Sequence, residues 1–475
     1  MPGTRGSFKM SDRSTRRPVV AIVGGGFSGA AAAFHLLSSA HCALEIVVVE
    51  PATTLGRGLA YSTSCDSHCL NVPAGRLGLD PAHEAGFIDW LQARGERHVA
   101  ASFVPRRLLG DYVGSELSRA IERAPLGSLL RHVRGRVESL VRDGDGFELR
   151  LSDGSRRHAD LAILATGHLP PAPPGHPAAI DWTQAGLVPD PRRPEALANL
   201  APAQDVLLVG SGLTAVDVVL QLADAGHVGR VHLLSRRGLL PQPHRVNEIR
   251  PATIASPALD EAATLRQMLA AVRTWIAQHT AAGGDWRDAM ASLRASTPAL
   301  WQRLDVRDRR RFLRHLQPFW DSHRHRLAAA LHQRVQALRG DGRLTVRAGR
   351  LAGVEHLPDG RLRAAWHPRG GGPAQYTDAS RIVNCTGPAA DVAQARAPLL
   401  ASLRDAGLLR PDPLGQGLLV DDALQVLDAA GHAVAGLFHV GPMLKAQRWE
   451  AVAIPELRLH ARDVARRILE SLAGG

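Results

Sequence analysis

Two glycine-rich turns, each set between a short apolar run and a helical run, constrain the fold of this chain more than any other feature. The first turn covers residues 24–29 and follows the β-branched run 19–23; the second covers residues 210–215 and follows the run 205–209. The first glycine of such a turn permits a tight bend, the second lets the backbone approach a pyrophosphate, and the third small residue lets helix pack on strand. The sequence therefore predicts the α/β class, with two Rossmann-type dinucleotide-binding domains.

The first unit ends in an acidic residue. A second apolar run, residues 44–49, leads to Glu50, which lies 21 positions beyond Gly29. A carboxylate at this place accepts hydrogen bonds from the ribose diol of a dinucleotide, while the N–H groups of the helix N-terminus attract its phosphates. The residues expected to bind this first cofactor are Gly24, Gly26, Phe27, Ser28, Gly29 and Glu50.

The second unit has two arginines where the first has its acid. Its second strand, residues 231–234, is followed by Ser235, Arg236 and Arg237. Guanidinium groups bind a 2′-phosphate that a carboxylate would repel, so this unit is interpreted as an NADP(H) site; the alternative is that the arginines only cap a solvated edge. The residues expected to bind this second cofactor are Gly210, Gly212, Leu213, Thr214, Ser235, Arg236 and Arg237.

An acid in the first unit and arginines in the second indicate FAD followed by NADPH. Two later strands, residues 160–167 and 381–387, both end in Thr-Gly, which is typical of the crossings between two such domains. A late strand, residues 436–441, is expected to bring Gly441 to the flavin, and an amphipathic helix follows it from about residue 455 to 472. The crossing residues expected at the cofactors are Thr166, Gly167, Thr386 and Gly387.

These patterns predict a discontinuous FAD domain and a helical insertion. Four tryptophans in the insertion are interpreted either as its own core or as a cap over a substrate cleft: Trp275, Trp286, Trp301 and Trp320. The predicted segments are a disordered leader, 1–17; the first part of the FAD domain, 18–170; the NADP domain, 200–245 and 341–385; the insertion, 246–340; and the second part of the FAD domain, 386–475.

Composition excludes several other classes of protein. Among the 475 residues, 45% are hydrophobic and 21% are charged, which is ordinary for a soluble globular protein. The net charge of +12 comes from arginines spread along the chain with only 4% aromatic residues, so nucleic-acid binding is not expected. No apolar run is long enough to span a membrane, and four cysteines favour a reducing, cytoplasmic setting. The sequence does not indicate an oligomeric state.

Cys65 and Cys69 lie where disulfide reductases of this fold keep a redox pair. Their C-x-x-x-C spacing, with His68 between them, departs from the usual pattern of such pairs. A zinc site at these residues lacks a fourth matched ligand, so no metal is predicted. A disulfide role remains an alternative.

Seven further motifs carry a resemblance that covers nearly all of residues 18–470. The chain resembles the bacterial FAD/NAD(P)-binding proteins of the YdhS-like group, relatives of flavin-containing and N-hydroxylating monooxygenases. The matching stretches are residues 23–29, 56–62, 70–74, 103–107, 285–287, 320–326 and 449–458. One departure is His168, which stands where such relatives often carry an aromatic residue.

The resemblance implies a monooxygenase that consumes NADPH and O₂. In that mechanism a flavin C4a-hydroperoxide oxygenates a small nucleophilic substrate, for instance by N-hydroxylation of an amino acid or amine. Asn71 matches the residue beside the flavin that acts in catalysis, although it could instead only hold the turn before Pro73. The resemblance also implies that Arg57, Leu70, Asn71 and Val72 contact the FAD. The alternatives are an NADPH-dependent flavin or disulfide reductase and a non-enzymatic flavin-binding redox sensor.

Overall fold

The computed structural model describes residues 17–174, 180–193, 195–257, 259, 262 and 264–473. Residues 1–16 of the predicted leader lie outside the described residues. The strands are β1 (Val19–Val23), β2 (Glu45–Val49), β3 (Leu129–Val133), β4 (Val137–Asp143), β5 (Gly146–Leu151), β6 (Arg156–Ala159), β7 (Leu161–Leu164), β8 (Leu187–Val188), β9 (Val206–Val209), β10 (Val231–Ser235), β11 (Leu344–His356), β12 (Leu362–Pro368), β13 (Gln375–Ala379), β14 (Arg381–Asn384), β15 (Gln425–Leu427) and β16 (Ala433–His439). The helices are α1 (Phe27–Ser39), α2 (Gly86–Ala93), α3 (Arg107–Arg123), α4 (Leu213–Asp224), α5 (Leu265–Ala281), α6 (Trp286–Ser292), α7 (Thr297–Arg303), α8 (Val306–Arg311), α9 (Gln317–Arg324), α10 (Ala329–Gly340), α11 (Pro398–Asp405) and α12 (Ile454–Ala473).

The first sheet has the strand order β15-β16-β7-β1-β2-β3. Strand β1 is buried along its whole length and pairs in parallel with β2 on one side and β7 on the other. A strand covered on both faces needs a continuous apolar sequence, which is what residues 19–23 supply. Because the chain leaves β1 through α1 to reach β2, the strand order reverses beside β1, and ligands of such sheets bind at that point.

The second sheet repeats this arrangement around β9. Its order is β13-β12-β11-β10-β9-β14-β8, and β9 pairs in parallel with β10 and with β14. Helix α4 leaves the carboxyl end of β9, as α1 leaves that of β1. Each glycine turn therefore lies at the point where the strand order of its own sheet reverses.

The chain passes from the first sheet to the second after β7 and returns to the first sheet at β15. Strand β16 pairs in parallel with β7, and α12 packs along α1, so the last part of the chain completes the sheet that the first part begins. A small antiparallel sheet, β4-β5-β6, precedes the crossing.

Helices α5 to α9 follow the second glycine unit and form a region of their own, whereas α10 packs against α4 and β11 of the second fold. The side chain of Trp301 is 4% exposed and packs against Trp449, which belongs to the C-terminal part of the chain, with 4.4 Å between the ring centres. Trp275, Trp286 and Trp320 pack around two small apolar clusters of this region. These contacts favour the interpretation of the tryptophans as core. Among the described helices, none combines the length and apolar character needed to cross a membrane.

Candidate active site

The first glycine turn is closed by backbone contacts that leave no room for side chains. Gly24 has a φ of +103°, and a Cβ atom there would lie 2.3 Å from the carbonyl oxygen of Ala165, at the end of β7. A Cβ atom at Gly29 would lie 1.9 Å from the carbonyl oxygen of Gly24. Glycine at both positions therefore lets α1 start directly against the carboxyl ends of β1 and β7.

The start of α1 is open to an anion. Its N-cap residue is Gly26, which supplies no side-chain cap, and its first turn contains no acidic residue. The N–H groups of that turn therefore remain available to a phosphate, which the helix dipole also favours. Phe27 and Ser28 belong to this first turn and are buried. A Cβ atom at Gly441 would lie 3.9 Å from Ser28 Oγ, so the end of the late strand does meet this turn.

Glu50 lies directly at the glycine turn. Its Oε2 accepts a hydrogen bond of 2.8 Å from the Gly25 N–H, and its Oε1 accepts one of 3.0 Å from the Ala52 N–H. A carboxylate has about four acceptor positions, so acceptors remain for a ribose diol. The two hydrogen bonds fix the carboxylate of Glu50 at the first glycine turn.

Three other predicted flavin contacts lie near the first glycine turn: Thr166 and Gly167 after β7, and Arg57 on a loop that crosses the turn. Gly167 has a φ of +69°, and the hydroxyl of Thr166 beside it is buried with no partner among the described residues. Arg57 lies on the loop that crosses over the glycine turn, but its guanidinium pairs with Asp111. Arg57 is therefore not a free cation in this structure.

Asn71 lies at the boundary between the two folds. Leu70 is the preceding residue, and its backbone N–H donates to the carbonyl oxygen of Val104 at 2.9 Å. This bond holds the segment in an extended form. The Nε2–H of His244, which comes from the other side of the boundary, donates to the carbonyl oxygen of Asn71 at 3.0 Å. Asn71 and Val72 line two small cavities, of about 150 and about 170 Å³, and Leu70 lines the second.

The second glycine turn repeats the first in detail. Gly210 has a φ of +125°, and a Cβ atom there would lie 2.2 Å from the carbonyl oxygen of Cys385, at the end of β14. Gly212 is the N-cap of α4 and supplies no side-chain cap. The two Thr-Gly strands thus occupy equivalent places, each against the first glycine of a turn.

A cavity of about 860 Å³ opens at this second turn. It brings together every residue predicted for the second cofactor, and its far wall comes from the helical region, through Asp321 of α9. It is also lined by Arg350 of β11, which pattern analysis missed because β11 becomes the neighbour of β10 only in the folded sheet. The predicted residues on its wall are Gly210, Gly212, Leu213, Thr214, Ser235, Arg236, Arg237, Thr386 and Gly387.

Asp321 and His325 form a polar group on the wall of the large cavity. His325 Nε2 lies 3.7 Å from Asp321 Oδ1, and burial raises the pKa of the Asp321 carboxyl. Lys445 acts electrostatically on both groups, and burial lowers the pKa of its own ammonium. His325 thus lies on the wall of the large cavity, next to Asp321.

Cys65 and Cys69 are both free thiols. Burial raises the pKa of Cys69 to about 11, and Cys65 Sγ lies 3.7 Å from an oxygen of Asp224. Raised pKa values disfavour the thiolates that disulfide exchange requires, which weakens the disulfide alternative. His68 has both ring nitrogens engaged, with Thr63 Oγ1 at 2.7 Å and with the carbonyl oxygen of Asp217 at 3.1 Å. Within the described part of the chain, no His/Cys/Asp/Glu group is suited to hold a metal ion.

Comparison with known proteins identifies the first fold. Residues 21–169 match a family model described as FAD-NAD(P)-binding. These residues are therefore similar to an FAD-NAD(P)-binding domain. The match confirms the prediction of FAD and NAD(P) as cofactors.

Curated relatives are less informative about function. Uncharacterized proteins of Mycobacterium tuberculosis and Mycobacterium bovis are 28% identical over 290 residues, which is 57% of this chain and 52% of theirs. The chain thus spans about half the length of the curated relatives it matches.

Solved structures extend the likeness to the whole fold. The ornithine N-hydroxylase of Kutzneria sp. 744, in a complex with reduced FAD, NADP⁺ and L-ornithine, has a TM-score of 0.61 at 15% identity, over 96% of this chain and 99% of that one. The L-lysine 6-monooxygenase of Pseudomonas syringae has a TM-score of 0.59 at 17% identity, over 96% and 99%. The cadaverine monooxygenase of Erwinia amylovora, bound to FAD, has a TM-score of 0.58 at 14% identity, over 95% and 94%. The predicted class, α/β with two dinucleotide-binding folds, is confirmed.

Proposed function

We propose that this chain is an FAD-dependent, NADPH-consuming monooxygenase of the YdhS-like group, which oxygenates a small nucleophilic substrate beside Asn71. The observation that carries the proposal is the position of Asn71. It lines two adjoining cavities at the boundary between two uncapped glycine turns, and a side chain from across that boundary fixes its backbone. The likeness in fold to N-hydroxylating monooxygenases supports the same activity.

FAD fits the first fold. We assign its pyrophosphate to the N–H groups at the start of α1, its ribose to Glu50, and its ring end to the side of Leu70, Asn71 and Val72. The steric evidence is the pair Gly24 and Gly29, where any Cβ atom would fill the space that the turn and helix need. When bound, FAD takes a hydride from NADPH and activates O₂, which no side chain can do.

NADPH fits the cavity of about 860 Å³ at the second turn. The start of α4 would hold its pyrophosphate, and the guanidinium groups of Arg236 and Arg237 would bind its 2′-phosphate. Arg237 also lies 5.5 Å from the ring centre of Phe319, which orients it on the cavity wall. These contacts favour NADPH over NADH.

Asn71 would orient the reacting groups. Its carboxamide Nδ2 donates and its Oδ1 accepts, so it can stabilise charge that develops on an oxygen and hold a nicotinamide or substrate in place. This requires a fixed backbone, which the hydrogen bond from His244 provides. Burial lowers the pKa of His244 to about 3, so this donor stays neutral near neutral pH.

We further propose the domain division predicted from the sequence, with residues 18–170 and 386–475 around FAD and residues 200–245 and 341–385 around NADP. The helical region, residues 246–340, would cover the substrate. A cytoplasmic location, in which NADPH is available, is part of the same proposal.

The test is an oxygen-uptake screen of the FAD-loaded protein with NADPH against amino acids and polyamines, with hydrogen peroxide measured in parallel. A coupled substrate should raise oxygen uptake without equivalent peroxide. In the Asn71→Ala variant, flavin reduction should persist while peroxide replaces product. NADPH-driven reduction that yields only peroxide with every candidate would instead support a reductase.

A further inference from the structure

The cavity of about 150 Å³ beside Asn71 is strongly basic. Five arginines line it, against one carboxylate, Glu248, and that carboxylate is already paired with Arg245 from outside the cavity wall. An excess of guanidinium groups in a small space attracts anions and repels cations. The five arginines are Arg76, Arg250, Arg294, Arg324 and Arg326.

Three of these arginines are neutralised by carboxylates behind the wall. Arg250 pairs with Glu84. Arg294 Nε donates to Glu456 at 2.6 Å, and Arg324 Nε donates to Glu450 at 3.0 Å. These three side chains therefore have protein partners and contribute little free charge to the cavity.

The remaining two, Arg76 and Arg326, make no ion pair among the described residues. Arg326 is 6% exposed, and its Nε and Nη1 are buried without a hydrogen-bond partner in the part of the chain that is described. Its one packing contact of note is with the ring of Trp286, 5.9 Å from the guanidinium carbon. The Nε of Arg76 is likewise buried and unpartnered. Burying an unpaired charge costs several kcal/mol, so such groups call for a ligand.

Backbone pairing fixes Arg326 against Asn71. The segment after α9 forms a parallel bridge between Leu327 and Pro243, and the N–H of His244 donates to the carbonyl oxygen of Leu327 at 2.8 Å. The same bridge thus positions His244, which holds the Asn71 backbone, and Arg326, which lines both cavities next to Asn71. The guanidinium is held in place by the fold and is not a mobile surface group.

We infer that Arg326 and Arg76 form an anion-binding subsite for the substrate, taking a carboxylate or phosphate group and directing the rest of the molecule to Asn71. A guanidinium binds either oxyanion through two parallel N–H···O bonds. This inference rests on the proposed function and narrows its substrate class. It excludes plain diamines such as cadaverine, because a dication would face five arginines and a single carboxylate on the cavity wall.

The experiment is calorimetric titration of the FAD-loaded protein, saturated with NADP⁺, with malonate, inorganic phosphate and cadaverine. We expect saturable binding of malonate or phosphate and no binding of cadaverine. The anion that binds more tightly shows whether the subsite takes a carboxylate or a phosphate group. Arg326→Met should weaken that binding at least 10-fold, and Arg326→Lys should recover part of it. Arg250→Met is the matched control, an arginine on the same wall that Glu84 already neutralises, and it should change binding less than 2-fold.

Three results would overturn the inference: no anion binding to the unmodified protein, equal weakening by Arg250→Met and Arg326→Met, or a loss of NADP⁺ affinity in Arg326→Met as large as the loss of anion affinity. Arg76→Met provides a second variant in case Arg326→Met does not fold.

Flavin reduction by NADPH, measured in the same samples, separates this inference from the proposed function. Failure of anion binding with intact reduction rejects the subsite alone.

Discussion

The Nε2 atom of His244 lies 3.0 Å from the carbonyl oxygen of Asn71 and joins the segment after the second glycine unit to the first fold. The imidazole also packs against the ring of Phe103, with 4.7 Å between the ring centres and 39° between the ring planes, which limits its rotation. A residue of the first fold is thus fixed by a side chain that follows the second glycine unit, 173 positions away. The geometry at Asn71 therefore depends on how the two folds pack together.

Replacing His244 should uncouple the reaction without preventing flavin reduction. His244→Ala removes the donor to Asn71, at a cost of about 1–3 kcal/mol for the unpaired group, and should raise the fraction of oxygen released as hydrogen peroxide. His244→Gln, which keeps a donor, should recover part of the coupling. Equal coupling in both variants would show that this hydrogen bond does not matter.

The glycine turn gives a stability prediction with an internal control. Gly29→Ala would place a Cβ atom 1.9 Å from the carbonyl oxygen of Gly24, so the helix must move away from the strand. We expect loss of bound FAD and a destabilisation of at least about 1–3 kcal/mol. Gly340→Ala is the control, because no atom lies within 4 Å of its added Cβ, and it should retain FAD. In each variant, the FAD content of the purified protein measures cofactor binding, and thermal unfolding measures stability.

The basic wall of the large cavity gives a prediction about cofactor choice. Arg236→Ala combined with Arg237→Ala should raise the KM for NADPH about 10- to 100-fold, the loss expected from one or two charge-assisted hydrogen bonds, and leave the KM for NADH unchanged. Arg361→Ala, a substitution of an exposed arginine on the turn between β11 and β12, should change neither. An equal rise in the KM values for NADPH and NADH would contradict recognition of the 2′-phosphate.

Three buried histidines near α1 and α12 predict acid lability. Burial lowers the pKa values of His35, His439 and His460 to about 4, from 6.5. The unfolded chain therefore binds more protons between pH 6.5 and 4, so the stability from these groups is present above pH 6.5 and lost as the pH falls. Each contributes a slope of up to about 1.4 kcal/mol per pH unit. His439→Leu should flatten the fall of Tm between pH 7 and pH 5, and His432→Asn, at an exposed histidine, should not.

Local sequence predicts the two glycine units well because their structure depends on neighbouring residues. The run of residues 19–23 is the strand β1, and the run of residues 205–209 contains β9 (Val206–Val209), since both are central strands with apolar residues on each face. The first glycine of each turn needs a positive φ, which restricts the residue type at that point. These requirements appear in the sequence as short patterns.

The substrate side could not be predicted in the same way. Arg326 is one of many arginines in the chain, and only the folded structure distinguishes it as buried and unpaired. His244 meets Asn71, and Trp449 meets Trp301, through contacts between segments far apart in sequence. No periodicity marks such pairs, because they depend on how the helical region packs against the two folds.

The most direct test of the central claim is anaerobic mixing of the FAD-loaded protein with one equivalent of NADPH. We predict complete bleaching of one flavin per chain, faster with NADPH than with NADH, and reoxidation when O₂ is admitted. A protein that takes up no FAD after refolding, or whose bound flavin stays oxidised in excess NADPH, would contradict the account.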